Sequence, residues 1–395
     1  MSKAASPELA LVAACCRWPR SPARNAAVQQ AADAAIDWPR FERVIDRHRV
    51  AGLVRDGMQQ AQIDAPADVD RRIAAKAMEA ARVALDMARE SLQLQRTFDD
   101  AGIPAVFVKG SALALLAFGE LGIKQSWDID LVTPPERAME GRRLLEQLGY
   151  VLLVPQGLSD VQFERFVALG KEAVFRHAET GIYVELHWRL IDNDALLGGI
   201  DLSRATQSIA LGGASLATLN DEALFAYLCV HGTMHGWSRL KWIADVAAFL
   251  SRRDDRDIQR LYDAAHALGA GKAPAATLLL CERLFDTDLP ASLRAGLDRD
   301  GIAKGLAAHA HSCLDHGRGE AEVDRYSLPG LRTEASQLFI GGTPRYFLGE
   351  LRRKWVSQID RAIVILPERL TFLYHFLRLP LWLSRQFRQA VRRPG

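Results

Sequence analysis

Cysteine is scarce in this chain: five in 395 residues, two of them adjacent (Cys15 and Cys16), with no Cys-x-x-Cys pair. That excludes a disulfide framework and a thiolate zinc site, and it fits a reducing, cytoplasmic setting. Charge of one sign is lacking too. Fifty Lys and Arg against 48 Asp and Glu leave a net charge of +2, which selects no class of partner. No window of about twenty residues is apolar enough to span a bilayer, so no transmembrane segment is expected. The opening MSKAASPELALVAACCRWPR has a short apolar stretch but no basic start and no sustained apolar core. It reads as a first helix rather than a signal peptide. No internal repeat or low-complexity segment stands out. What remains is a globular composition, 49% hydrophobic and 25% charged, in a chain long enough for two or three domains.

The hydrophobic period changes twice along the chain. Residues 1–100 read as helical throughout. The segment from Asp68 to Asp100 places apolar residues at helical spacing and stops before Gly102 and Pro104. Ile103–Val108 is a short β-type run, and Gly110 begins a helical stretch through SALALLAFG. Trp127–Val132 (WDIDLV) alternates as a strand does, and Pro134-Pro135 opens another helix. EAVFRHA and GIYVELHWRL read as two further strands joined by a turn at Glu179-Thr180-Gly181. Beyond about residue 200 the period is expected to return to helical and stay so. The predicted fold is therefore α+β. It has a helical region at 1–100, a small mixed-sheet core at 101–195, a helical region at 196–345 and basic amphipathic helices at 346–395.

The chemistry concentrates in the core. Residues two apart on a strand share a face, so Asp128 and Asp130 project together while Ile129 and Leu131 face the core. Two carboxylates so close repel unless a cation neutralises them. Glu185, alternating with Val184 and Leu186, is a third acid, and a strand beside Asp-x-Asp would bring all three together. Three carboxylates can hold two divalent ions about 4 Å apart, an arrangement that activates an attacking oxygen and stabilises a leaving pyrophosphate. Gly110-Ser111 at a helix start is an anion-binding element, because backbone N–H groups there face a phosphate and glycine allows close approach. Lys109 and the Ser111 hydroxyl can assist. Each motif alone has a bland reading, a turn followed by a strand with a wet face. Their combination is more specific.

VFVKGSAL, WDIDLV and VELHWRL together resemble the nucleotidyltransferase superfamily related to DNA polymerase β. More closely, they resemble the bacterial uncharacterised nucleotidyltransferase family, with its Lys-Gly turn, D-[IL]-D-L strand and [ED]-[LI]-H-W strand. HGTMHGWSRLKWIADVAAFL (His231–Leu250) and RFERVIDRHRVAGLV (Arg40–Val54) extend the likeness over at least residues 40–250. The resemblance implies Asp128 and Asp130 as shared metal ligands, with Glu185 as the third ligand helping to activate an acceptor hydroxyl. It implies Gly110 and Ser111 as holders of the nucleotide's terminal phosphates. The implied cofactor is Mg²⁺ or Mn²⁺, and the implied substrate is a nucleoside triphosphate such as ATP. The acceptor is open: small molecule, peptide, protein or RNA. Trp127 departs from the superfamily, many members of which place a small residue before the first aspartate, but it points opposite to Asp128.

Other residues carry weaker signals. His231 and His235 have a zinc-chelating spacing, but Gly232 stands where a zinc protease needs glutamate, so a structural or pocket role is expected. His187 shares a strand face with Glu185 and is expected either to orient it or to contact phosphate; the bland alternative is a hydrogen-bonded, half-buried histidine. Lys171 and Arg176, and Arg239 and Lys241, are candidates to meet the triphosphate, with solvated or helix-stabilising charge as the alternative. Asp245, four residues after Lys241, suffices for an intrahelical pair. Residues 345–395 hold eleven Arg and Lys against three acids, interleaved with aromatics and broken by Pro380. Packing on the protein is the favoured role for that stretch, and peripheral contact with an anionic membrane the second. A non-catalytic nucleotide-binding or regulatory module on the same fold is the rival to an enzyme.

Overall fold

The N-terminal helices begin where capping residues stand. Ser6, Ser21 and Asp37 each accept a backbone N–H from the first turn of α1 (Pro7–Cys15), α2 (Pro22–Ala32) and α3 (Trp38–His48). The first two have proline just inside, where its missing N–H costs nothing. α3 stops at Arg49, whose backbone is left-handed (φ 56°), and α4 (Ala51–Ala61) follows. α5 (Ala67–Asp100) runs 34 residues, its buried stripe (Ile73, Ala80, Ala84, Met87, Leu94, Phe98) recurring at helical spacing. The computed structural model describes residues 5–355 together with 361, 362, 364, 373 and 374.

The central sheet has five strands. These are β1 (Val106–Phe107), β2 (Asp128–Val132), β3 (Tyr150–Val154), β4 (Glu172–His177) and β5 (Tyr183–His187), in spatial order β1-β2-β5-β4-β3. β2 and β5 run parallel and the other pairs antiparallel. α6 (Gly110–Phe118) links β1 to β2, and α7 (Ala138–Gln147) and α8 (Asp160–Leu169) flank β3. One face carries Ile129, Leu131, Ala173, Phe175, Val184 and Leu186, all buried against α5, α7 and α8. Each of these larger aliphatic and aromatic side chains contributes about 1.5–3 kcal/mol on full burial, so this face fixes the register. Trp188 anchors the end of β5. It is buried against Phe163 and Phe166, and its indole N–H donates to the Gly170 carbonyl at 2.7 Å.

Two expectations need correction. The stretch after residue 200 is not all helix: β6 (Thr206–Leu211) and β7 (Ala214–Leu219) form a separate antiparallel hairpin. Gly212-Gly213, at φ 57° and 80°, supplies the doubly left-handed turn that a two-residue hairpin demands. β3 and α8 were also not anticipated. β3 leaves Val151 and Val154 about half exposed, so its apolar run shows no alternation, whereas the capping box of Ser159 and Gln162 that opens α8 was there to be read.

Helices resume with α9 (Asp221–Met234) and α10 (Leu240–Leu250), continuing with α11 (Asp255–Ala267), α12 (Ala273–Phe285), α13 (Ala291–Arg299), α14 (Gly301–Leu314), α15 (Leu328–Ser336) and α16 (Pro344–Trp355). α9, α10 and α12 share a second apolar core with α1, α3, α4 and α6. Most of 346–395, expected to form basic amphipathic helices, lies outside the described residues. No described helix is long and apolar enough to cross a membrane.

Candidate active site

The second face of the sheet is polar where it meets α9 and α10, and a cleft of about 920 Å³ opens there. Strand pairing builds its floor. Asp130 lies opposite Glu185 across the parallel β2–β5 pair, and His187 lies opposite Glu172 across β5–β4. Side chains directly opposite share a face, so Asp130, Glu185, His187 and Glu172 converge, with Asp128 two residues along from Asp130. His187 is the hub. Its Nε2 lies 3.4 Å from both Asp130 Oδ1 and Glu185 Oε2, and its Nδ1 lies 3.1 Å from Glu172 Oε2.

Lys109 enters from the turn before α6 and sets its ammonium 2.7 Å from Asp130 Oδ1. Burial works against its charge, but Asp130, with Tyr227 and Asp128, outweighs that and holds the Lys109 pKa well above its ordinary value. Asp130 is 3% exposed, so it does not face the surface as its strand position suggested. Burial alone would raise its pKa, yet Lys109 and His187 keep it ionised far below the usual carboxylate range. His187 is likewise buried, and Asp130 and Glu185 push its pKa up despite that burial. Asp128 moves the other way. Burial and then the Asp130 charge raise its pKa, the mark of a carboxylate crowded by another without enough cation.

The donor set suits a divalent cation. Asp130, Glu185 and His187 each offer a ligand atom, and these atoms lie within 4.8 Å of one another. Although charges are close, Asp130 Oδ1 and His187 Nε2 have no aligned hydrogen-bond partner, an uncommon state for buried polar atoms. The expected set was Asp128, Asp130 and Glu185. In the structure His187 completes the tightest group, and Asp128 flanks it on the cleft wall.

The remaining candidates separate cleanly. Gly110 takes φ 57° at the start of α6 and lines the cleft, while Ser111 is buried and lines a small adjoining recess. Lys171 lines the cleft and pairs with Glu172. Arg176 stands at the far hairpin end, its guanidinium 6.0 Å from the Tyr183 ring, outside the cleft. Arg239 donates to the Arg47 carbonyl at 2.5 Å and pairs with Glu322 at 2.7 Å, a structural role. Asp245 does not pair with Lys241; it makes a buried 2.8 Å ion pair with Lys124. His231 and His235 line the cleft with ring centres 4.7 Å apart, near Trp242, and belong to no cluster of three metal-ligating groups among the described residues. Burial drives His231 well below its ordinary pKa and His235 down to about 4, so both are neutral rings. Trp127 is 53% exposed with the Arg49 guanidinium 5.0 Å from its ring centre.

Two contributors escaped the sequence. Glu172 heads β4 in a legible alternation, but only its pairing with His187 across β5 gives it a role. Arg49 reaches the cleft from α3, nearly eighty residues before the Asp-x-Asp strand, and only the tertiary fold shows this.

Fold and site define an α+β protein with an acidic, cation-fringed cleft suited to chemistry on an anionic substrate. A known family fits that class: the one described as uncharacterised nucleotidyltransferases matches residues 34–286, well over half the chain. The chain belongs to this family. No curated protein and no solved structure matches it.

Proposed function

We propose that this protein is a metal-dependent nucleotidyltransferase that moves a nucleoside monophosphate from a nucleoside triphosphate to an acceptor, releasing pyrophosphate. The carrying observation is the register of β2 and β5, which sets Asp130 beside Glu185, with Asp130 Oδ1 and His187 Nε2 buried without aligned hydrogen-bond partners. Family membership supports the same reading. Asp128, Asp130 and Glu185, with His187, would hold Mg²⁺ or Mn²⁺, which when bound supplies charge neutralisation for the phosphoryl oxygens. Glu185, the more exposed member of the cluster, takes the proton of the acceptor hydroxyl as its oxygen attacks the α-phosphorus. The bond from that phosphorus to the bridging oxygen breaks, and pyrophosphate leaves. Glu172, with an oxygen 3.1 Å from Nδ1, holds the His187 ring in place. Gly110 opens α6 so that its backbone N–H groups face a phosphate, and Lys109 and Lys171 add positive charge.

One observation favours a second reading, a nucleotide-binding module without turnover: the Lys109 ammonium already neutralises Asp130. Pyrophosphate release from a mixture of nucleoside triphosphates and candidate acceptors separates the two. Wild type should release it with Mg²⁺ or Mn²⁺, and Asp128→Ala and Asp130→Asn should not. Equal release by both variants would remove these carboxylates from the chemistry. Metal-dependent nucleotide binding without release on any acceptor would favour the module.

A further inference from the structure

The cations lining the cleft differ in one respect. Lys109, Lys124, Lys171, Arg325, Arg353 and Lys354 each have a carboxylate within 4 Å. Arg49 and Lys241 also line it, and neither forms an ion pair among the described residues. The nearest acids are otherwise committed. Asp245, on the same helix as Lys241, is bound to Lys124, and the Asp128 carboxylate influences Lys241 and Arg49 without reaching ion-pairing distance. Lys241 makes one long contact, donating to the Gln125 carbonyl at 3.4 Å. Arg49 is held by a left-handed backbone, uncommon outside glycine, with its guanidinium over Trp127. Three cations, Arg49, Lys124 and Lys241, thus gather at the Asp128 side of the cleft around a single paired carboxylate.

We propose that Arg49 and Lys241 form the seat of the outer two phosphates of the nucleoside triphosphate, and so hold the pyrophosphate as it leaves. This rests on the nucleotidyltransferase reading for its ligand. Gly110, at the start of α6, lines the same cleft as Arg49, Asp128 and Lys241. A polyphosphate lying there meets backbone N–H groups from one wall and two cations lacking carboxylate partners from the other. Planar guanidinium and compact ammonium then take different oxygens. The pKa of Lys241 agrees: burial first, and then Lys124, lower it to about 7, more than Asp245 and Asp128 restore.

Calorimetry with inorganic tripolyphosphate tests the seat without requiring turnover. Wild type should bind tripolyphosphate at least tenfold more tightly than monophosphate. Arg49→Gln and Lys241→Met should each lose tenfold or more, with Lys241→Arg recovering most of the loss. Arg176→Gln, which removes a charge outside the cleft, should stay within twofold of wild type. In wild-type protein, tripolyphosphate should also shield Lys241 from acylation, read by mass spectrometry, which serves if a variant fails to fold. Unchanged affinity in Arg49→Gln and Lys241→Met overturns the seat, as does unshielded Lys241. Equal affinity for monophosphate assigns the pair to a lone phosphate and overturns its role in holding a leaving pyrophosphate. Tripolyphosphate binding through this pair, with no pyrophosphate release on any acceptor, would sink the transferase reading and leave the seat standing. Transfer that is indifferent to both variants would do the reverse.

Discussion

The floor and the wall of the cleft handle charge in opposite ways. On the floor, Asp130, Glu185, Glu172, His187, Lys109 and Lys171 all lie within contact of an opposite charge, in a network centred on His187 and Asp130. On the wall, Arg49 and Lys241 form no ion pair among the described residues, and burial, then Lys124, bring the Lys241 pKa to about 7. The floor is built by strand register, which brings acids and bases into opposition two residues at a time. The wall is built by helices from distant parts of the chain, and under the proposed seat its charges receive the polyphosphate. A floor whose opposed charges still leave Asp130 Oδ1 and His187 Nε2 without aligned hydrogen-bond partners, beside a wall of cations, is what a site needs if the floor holds a cation and the wall receives an anion.

Breaking the floor should have the largest effect. Asp130→Ala leaves Lys109 and His187 buried without their shared partner, and removing one member of a buried pair costs about 3–5 kcal/mol. Thermal denaturation should therefore show a clear loss of stability alongside loss of transfer. That differs from the expectation for a surface-facing aspartate, under which stability would be untouched. Next comes Glu172→Gln, which weakens the hold on His187 Nδ1. Removing such an outer partner typically costs about 10–100-fold in metal affinity, measurable by Mn²⁺ titration with little change in melting temperature.

The wall should respond with the opposite sign. In the unfolded chain Lys241 has an ordinary pKa of about 10.4, whereas in the folded protein it is about 7. Below about 7 both states are protonated and the folded state carries the full penalty of the buried charge. Between about 7 and about 10 the unfolded state binds the extra proton, so stability rises with pH. Lys241→Met should therefore stabilise the free protein at pH 7, on the order of 2 kcal/mol after allowing for partial exposure. It should also flatten the rise in stability with pH across that window in chemical denaturation. A smaller effect is expected at the hinge between floor and wall. Gly110 has room for a methyl group but sits at φ 57°, so Gly110→Ala should cost about 1 kcal/mol.

The contrast also explains what could be read from the sequence. The floor was legible because alternation puts Asp128 with Asp130 and Glu185 with His187 whatever the tertiary fold. Its details were not: which acids meet depends on β2 and β5 being parallel neighbours, and that pairing made His187 rather than Asp128 the third member of the tightest group. Glu172 had no meaning until β4 lay against β5. The wall was half legible. Arg49 carried no signal of its own, whereas Lys241 was a candidate to meet the triphosphate; its simpler reading, an ion pair with Asp245, fell when Lys124, from a loop over a hundred residues earlier, took that place. Local pattern also failed at β6–β7, where Gly212-Gly213 marked a hairpin that the surrounding helical period obscured.

The central claim, that the floor holds a cation on which nucleotide binding depends, is tested most directly by titrating a non-hydrolysable nucleoside triphosphate into wild type and Asp130→Asn, with Mn²⁺ and with EDTA. The account predicts that wild type binds at least tenfold more tightly with Mn²⁺, and that Asp130→Asn binds equally weakly in both. Nucleotide affinity in wild type that is the same with and without the metal would contradict it.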